Sequence, residues 1–271
     1  MRRFLIGLLV LPVLSCAGLG QESYIISDEQ EIEMGQQYHV ELLKEMPEYQ
    51  GDARIGEYIK AMGAEIAAQS DRPTLAYTFT VVASEEINAF AVMGGYVYVT
   101  MGLLRHASSG AEIATIIAHE VGHVSARHGV RSMEIYVLAQ GLSELVSSGQ
   151  WGELISATIQ TGTGLVFSQD QEREADSLGV KYAFKSQYNP WGMVDFFTYL
   201  QTLESSSTST GIDATLGELF STHPPTTERI TNAQTELAEM GVSRDTSTLR
   251  WDSATPFSEI AAILPVATTS R

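Results

Sequence analysis

Apolar positions along this chain follow two periods, and the switches between them mark out its elements. Ser27, with Gln30 three residues later, has the form of a capping box and predicts a helix over about 28–46. A second helical stretch fits 52–69 and ends before Arg72-Pro73, because the residue preceding a proline avoids helical backbone. Tyr77 to Val82 is rich in β-branched and aromatic residues and predicts a strand, with Ile87 to Val92 a second candidate. Gly94-Gly95 then turns the chain into a third strand, Tyr96 to Thr100. Helical spacing returns from Ala111 to about Gly129, from Ser168 to about Lys185, from Asn189-Pro190 to about Leu203 and from Pro224 to about Met240. Residues 133–165 mix helical spacing with Gly141, Gly149, Gly152, Gly162 and Gly164, which predicts short helices and a mobile, lid-like loop outside the core. Residues 204–211 form a low-complexity loop, and the Ser/Thr-rich stretch beyond Gly241 carries no clear pattern. The elements describe an α+β, mostly helical fold with a small antiparallel-edged sheet packed on a helix.

The first sixteen residues stand apart. Arg2 and Arg3 precede an apolar run from Phe4 to Leu14, too short to cross a bilayer and right for the apolar region of a signal peptide. It ends in Val13-Leu14-Ser15-Cys16, which resembles the lipobox of bacterial lipoproteins. In that group the cysteine is acylated and opens the mature chain. The implied division is a signal peptide over 1–15, lipidation at Cys16, a tether over 16–26, a domain over 27–240 and a tail over 241–271. Ala17 after the cysteine resembles outer-membrane sorting, which implies a bacterial cell-envelope protein anchored by lipid and facing the periplasm.

Charge narrows the choice of partners. Thirty-three acidic residues against 16 Lys and Arg give a formal charge of −17, which a phosphate backbone would repel, so nucleic acid is excluded as a partner. The single cysteine excludes both an internal disulfide and a cysteine-based zinc cluster.

The chemistry concentrates in His119-Glu120-Val121-Gly122-His123, inside a helical, apolar context. Residues four apart stack on one helix face, so both imidazoles can reach one Zn²⁺. Glu120, one position on, is turned away from the metal yet close to water beside it, the place for a general base. Gly122 allows another element to pack close. A helix with two satisfied core histidines and a solvated glutamate fits the same five residues, so a third ligand is needed. The arrangement with Gly at 126 and a third His at 129 is absent, since the chain has Ala126 and Gly129. The later segment Gln-Asp-Gln-Glu-Arg-Glu-Ala-Asp-Ser offers Glu172, Glu174 and Asp176. Glu172 and Asp176 share a face, one able to bind zinc and the other to hold a ligand histidine. Spacing alone leaves Glu172 and Glu174 both open as the ligand.

These two segments together resemble the HtpX/Oma-type family of gluzincin zinc metallopeptidases. Two further segments match it: Asn88-Ala89-Phe90-Ala91 through Gly94-Gly95-Tyr96 to Gly102-Leu103-Leu104, and Ser221-Thr222-His223-Pro224-Pro225 with Arg229. The likeness is greatest to lipoproteins of the LoiP and BepA type. It implies a zincin-like domain, one zinc per chain held by His119, His123 and Glu172, and Asp176 as the partner of a ligand histidine. It further implies that Asn88, Ala89 and Phe90 lie on the substrate side and that His223 sits near the zinc, blocking or assisting it.

The residues read as a peptidase mechanism. Zinc would polarise the scissile carbonyl and lower the pKa of a water toward ~7, while Glu120 takes the water's proton and returns it to the leaving amine. Substrate would lie extended along an edge strand within 87–100. Arg229 either stabilises an oxyanion or pairs with a buried acid; Asn88 either bonds substrate backbone or serves as a turn residue. His106 and His128 read as structural, Tyr96 and Tyr98 as sheet packing. The implied substrates are unfolded or misassembled envelope proteins. The rival reading is a metal-binding lipoprotein that acts as chaperone or scaffold, which would have no need of a base at Glu120. Oligomeric state is not readable from the sequence.

Overall fold

The computed structural model describes residues 25–142, 149, 151–161, 167–206, 223 and 227–266. The signal peptide, Cys16 and most of the tether lie outside the described residues, as do 207–211 of the low-complexity loop. Among the described residues, no helix is long and apolar enough to cross a membrane.

Helix α1 spans Asp28–Glu45 and opens on the capping box of Ser27 and Gln30. Helix α2 spans Ala53–Ala67, with the Asp52 carboxylate accepting the Arg54 N–H at its start. Strands β1 (Thr78–Val82), β2 (Ala89–Val92) and β3 (Tyr96–Thr100) form a sheet of order β1-β3-β2. β1 runs parallel to β3, and β2 runs antiparallel to it, Phe90 opposite Tyr98. One edge is therefore antiparallel, and β3 lies in the middle. Within 87–100, only β2 offers an outer edge to an extended peptide.

The pleat divides the interior. Phe79, Val81, Ala89, Ala91, Val97 and Val99 point into the main core, shared with α2 and later helices. Val82, Phe90, Val92 and Tyr98 point the other way, into a second core under α1. Helix α3 (Met101–His106) follows β3 directly and was not anticipated. Helix α4 (Gly110–Ser125) lies across the main core, its first turn capped by the Ser109 hydroxyl. The helical stretch predicted to run on to Gly129 breaks at Arg127, whose backbone is left-handed at φ 56°, and α5 (His128–Gln140) leaves in a new direction.

The short helices expected within 133–165 are present, as the end of α5 and as helix α6 (Trp151–Thr161), but they belong to the core, which corrects their placement outside it; 143–148, 150 and 162–166, where the loop would fall, lie outside the described residues. Trp151, Leu154 and Ile155 are buried in the second core, as are Val130, Met133 and Val137 of α5. The glycines that suggested mobility sit at 141, where α5 ends, at 149, before α6, and at 152, within α6's first turn, or outside the described residues. Helix α7 (Gln169–Lys185) starts on a second capping box, Ser168 with Gln171. Helices α8 (Trp191–Ser206), α9 (Thr227–Glu239) and α10 (Phe257–Ala261) complete the main core. Residues 242–266 belong to it: Val242, Phe257 and Ile260 are buried there, and the Trp251 carbonyl accepts the Ala111 N–H at the start of α4.

Candidate active site

Helices α4 and α7 approach each other closely. A methyl group at Gly122 would lie 3.1 Å from the Ala175 carbonyl oxygen, and one at Gly179 would lie 3.1 Å from the His119 backbone nitrogen. Glycine allows this spacing without displacing its neighbours, and it brings the α7 carboxylates onto the α4 histidines.

Ligand atoms of His119, His123, Glu172 and His223 all lie within 4.8 Å of one another, and all four residues are buried. His119 Nε2 is 3.0 Å from His123 Nε2. Glu172 Oε1 lies 3.3 Å from His123 Nε2, and Oε2 lies 3.6 Å from His119 Nε2. His223 Nδ1 is 2.8 Å from Glu172 Oε1 and 3.4 Å from His119 Nε2. Of the two glutamates that spacing left open, Glu172 joins the group. Glu174 points outward and meets His128 instead, at 3.2 Å.

The far side of each imidazole bears on which nitrogen is free to face the group. His119 Nδ1 sits 3.0 Å from Asp176 Oδ1, close enough to keep its proton there, although not aligned for an ideal hydrogen bond. Asp176 is fixed in turn by Arg229, whose Nε and Nη2 each donate at 2.7 Å. A third guanidinium nitrogen, Nη1, lies 3.0 Å from Glu172, and the guanidinium rests 4.5 Å from the Phe197 ring centre. Arg229 thus pairs with two buried acids, Asp176 and Glu172.

His128 is buried with its Nδ1 2.9 Å from His123 Nδ1, which places it within the site and corrects its reading as merely structural. The aromatic ring of Phe167 stacks on His123 at 4.0 Å and is also absent from the sequence-based set. The signal for His128 was available in its spacing, five residues after His123 and opposite the acidic face of α7. His106, by contrast, bonds the Tyr199 hydroxyl at the surface, away from this group.

Protonation suits a cation. Burial holds His123 well below the ordinary imidazole range, so it is neutral. Burial pushes Glu172 upward, but His223, His123 and His119 outweigh it and keep the carboxylate ionised. Two imidazole nitrogens 3.0 Å apart, if neither carries a proton, repel unless a cation lies between them. Imidazole nitrogen and carboxylate oxygen, neutral and ionised respectively, are the donors and charge states zinc takes. The set fits one zinc ion.

Glu120 is buried beside this group, its Oε1 3.9 Å from His223 Nε2, while Oε2 has no hydrogen-bond partner among the described residues. Burial raises its pKa, opposed in part by His223 and His119. A cavity of about 30 Å³ opens at Glu120, lined by Ala89, Ile116, Phe196, Phe197 and Leu200 among others. That is enough for a water molecule, which needs roughly 10–15 Å³. Asn88 is buried, its N–H bonded to the Thr100 hydroxyl at 3.1 Å. Ala89 faces the site; Phe90 stacks on Tyr98 at 4.8 Å on the opposite face of the sheet. Tyr98 is a packing residue as expected, and also bonds His39.

A model of peptidase family M48 matches residues 54–237. Among curated proteins, the chain is similar to the putative beta-barrel assembly-enhancing protease of Vibrio cholerae, at 32% identity over 64% of this chain and 38% of that protein. It is similar to the beta-barrel assembly-enhancing protease of Escherichia coli, at 28% identity over 79% of this chain and 45% of that protein. It is also similar to metalloprotease YcaL of Escherichia coli, at 26% identity over 68% of this chain and 69% of that protein. The chain spans less than half the length of the first two of these relatives.

Proposed function

For a chain that belongs to peptidase family M48, we propose the function of a zinc metalloendopeptidase acting on unfolded or misassembled proteins of the bacterial envelope. The observation that carries this reading is the convergence of His119, His123 and Glu172 beside a buried, upshifted Glu120. Relatives named beta-barrel assembly-enhancing protease support the envelope as the setting. The Val13-Leu14-Ser15-Cys16 motif supports a lipid anchor at Cys16 in the outer membrane, after removal of residues 1–15 and followed by a short tether.

His119, His123 and Glu172 would hold the zinc, which when bound supplies Lewis acidity toward water and the scissile carbonyl. The remaining work falls to side chains. Glu120 accepts a proton as the water oxygen bonds to the carbonyl carbon, and delivers it to the amide nitrogen as the C–N bond breaks. Its raised pKa suits both halves of that exchange. Asp176 and Arg229 keep His119 oriented. The outer edge of β2, centred on Ala89 between Asn88 and Phe90, would bind substrate backbone as an added strand, with the Asn88 main chain itself tied to Thr100. That mode reads main chain and suits proteins that expose extended segments.

Cleavage of casein by protein lacking residues 1–16, with Glu120→Gln beside it and zinc measured in both, tests the reading. Equal zinc with cleavage by wild type alone is the expected result. Zinc in both with cleavage by neither would favour the scaffold function, and no zinc in either would remove the ligand assignment.

A second reading concerns the resting state. His223 Nδ1, 2.8 Å from Glu172 and 3.4 Å from His119, occupies the remaining side of the metal group. It would act as a latch that restrains activity. His223→Ala would then cleave faster than wild type; equal or slower cleavage would remove the latch.

A further inference from the structure

We propose that His128 is a positioning residue for the metal site: held by Glu174, it accepts the Nδ1 proton of His123 and so keeps His123 Nε2 bare toward His119 and Glu172. The inference rests on the zinc reading of the site given above.

The argument begins with what each atom can do. The Glu174 carboxylate only accepts, so the contact of His128 Nε2 with Glu174 Oε2 at 3.2 Å places a proton on that nitrogen. A neutral imidazole has one N–H, so His128 Nδ1 is then an acceptor. It lies 2.9 Å from His123 Nδ1, which must donate. His123 Nε2 is thereby left with its lone pair, 3.0 Å from His119 Nε2 and 3.3 Å from Glu172. In the opposite tautomer, His123 would point an N–H into the ligand group and could not bind a metal. Phe167 stacks on the same ring at 4.0 Å and limits its rotation, but a ring face cannot choose a tautomer.

The backbone is arranged for this contact. His128 opens α5 directly after Arg127, a non-glycine residue with φ 56°. Such a conformation costs of order 1 kcal/mol or more and persists only where the surroundings enforce it. Here Arg127 Nε sits 2.9 Å from the buried Glu31 carboxylate, Nη1 sits 3.0 Å from Asp28, and Nη2 donates to the Ile26 carbonyl. The turn at Arg127 brings the His128 ring centre within 4.9 Å of that of His123.

The test uses the full chain in detergent. Zinc affinity is measured by competition with a chromophoric chelator for wild type, His128→Asn and His128→Phe. Asparagine places an amide oxygen near the position of Nδ1 and keeps an acceptor; phenylalanine keeps the ring without one. His128→Phe should bind zinc about 10- to 100-fold more weakly, the usual consequence of losing the group behind a ligand, while His128→Asn stays within a fewfold of wild type. Nitrogen chemical shifts of the His123 ring in zinc-free protein should report Nδ1–H in wild type and in His128→Asn, and a mixed tautomer in His128→Phe. A merely structural role would lower the unfolding temperature of the zinc-free variants without moving either readout. Wild-type affinity in His128→Phe, or equal losses in both variants, would overturn the proposal. If His128→Phe does not fold, Glu174→Met decides, because that side chain is 60% exposed: weaker zinc binding and a mixed His123 tautomer support the relay, and no change in either overturns it. Absence of zinc from wild type itself would overturn the zinc reading, and the relay with it.

Discussion

The two histidines of α4 stand one turn apart and are braced in opposite ways. Behind His119 lies a closed ionic group, Asp176 gripped by two nitrogens of a buried Arg229 that also reaches Glu172. Behind His123 lies a neutral ring, His128, backed by the solvated carboxylate of Glu174. The first brace is costly to bury and costly to break, since removing one partner strands a charge out of water. The second spends little desolvation, because its only charge stays in water. A metal site thus draws orientation from two sources with different liabilities, one toward charge removal and one toward loss of a single acceptor.

The largest effect tests whether Glu120 stands outside both braces. Glu120→Gln should lower kcat/KM by about 10²- to 10⁴-fold with zinc content unchanged, because it removes the base alone. A parallel loss of zinc would make Glu120 part of the ligand support. Next, Arg229→Leu should destabilise the zinc-free protein by about 3–5 kcal/mol in urea denaturation, since Asp176 and Glu172 would lose their cation. Saturating zinc should recover part of that loss, because the ion restores positive charge beside Glu172. An equal loss with and without zinc would show that the brace acts independently of the metal.

Acid titration should separate the sides further. Burial pushes the Asp176 carboxyl up, but the bonds from Arg229 and the nearness of His119 outweigh it and hold the group below its ordinary 3.8. The unfolded chain therefore takes up this proton first as pH falls. The Asp176 contribution should be complete above about pH 4 and drain away below it, at ~1.4 kcal/mol for each unit of depression. Asp176→Asn should flatten that part of the stability curve; an unchanged curve would contradict the assignment. The smallest effect belongs to Glu174→Ala, with a stability change under about 1 kcal/mol, as for exposed ion pairs. A larger change would show that the second brace carries more charge stabilisation than its exposure implies.

Much of this site was legible in the sequence, and for physical reasons. The four-residue interval of His119 and His123 fixes their shared face, and the capping box of Ser168 with Gln171 fixes where α7 begins. The strands were legible because β-branched and aromatic runs bounded by glycine have few other uses. Within 133–165 the helices were legible but their burial was not: glycine density hides the need of Trp151, Leu154 and Ile155 for a core to fill. The five-residue interval from His123 marks His128 as a candidate, but its place beside that ring depends on a left-handed residue at Arg127, a conformation that local propensity does not announce for an arginine. Choosing Glu172 over Glu174 required the angle at which α7 meets α4, which is a property of packing.

That angle rests on two missing methyl groups. Gly122 and Gly179 let α4 and α7 meet backbone against backbone, with the ligands projecting from surfaces already in contact. Walls that touch cannot move closer, and the buried side chains around them resist moving apart. The spacing of the donors is thus tied to a main-chain contact as well as to side-chain rotamers, and even one methyl group at either glycine would ask its neighbours to give by a few tenths of an ångström within reach of His119.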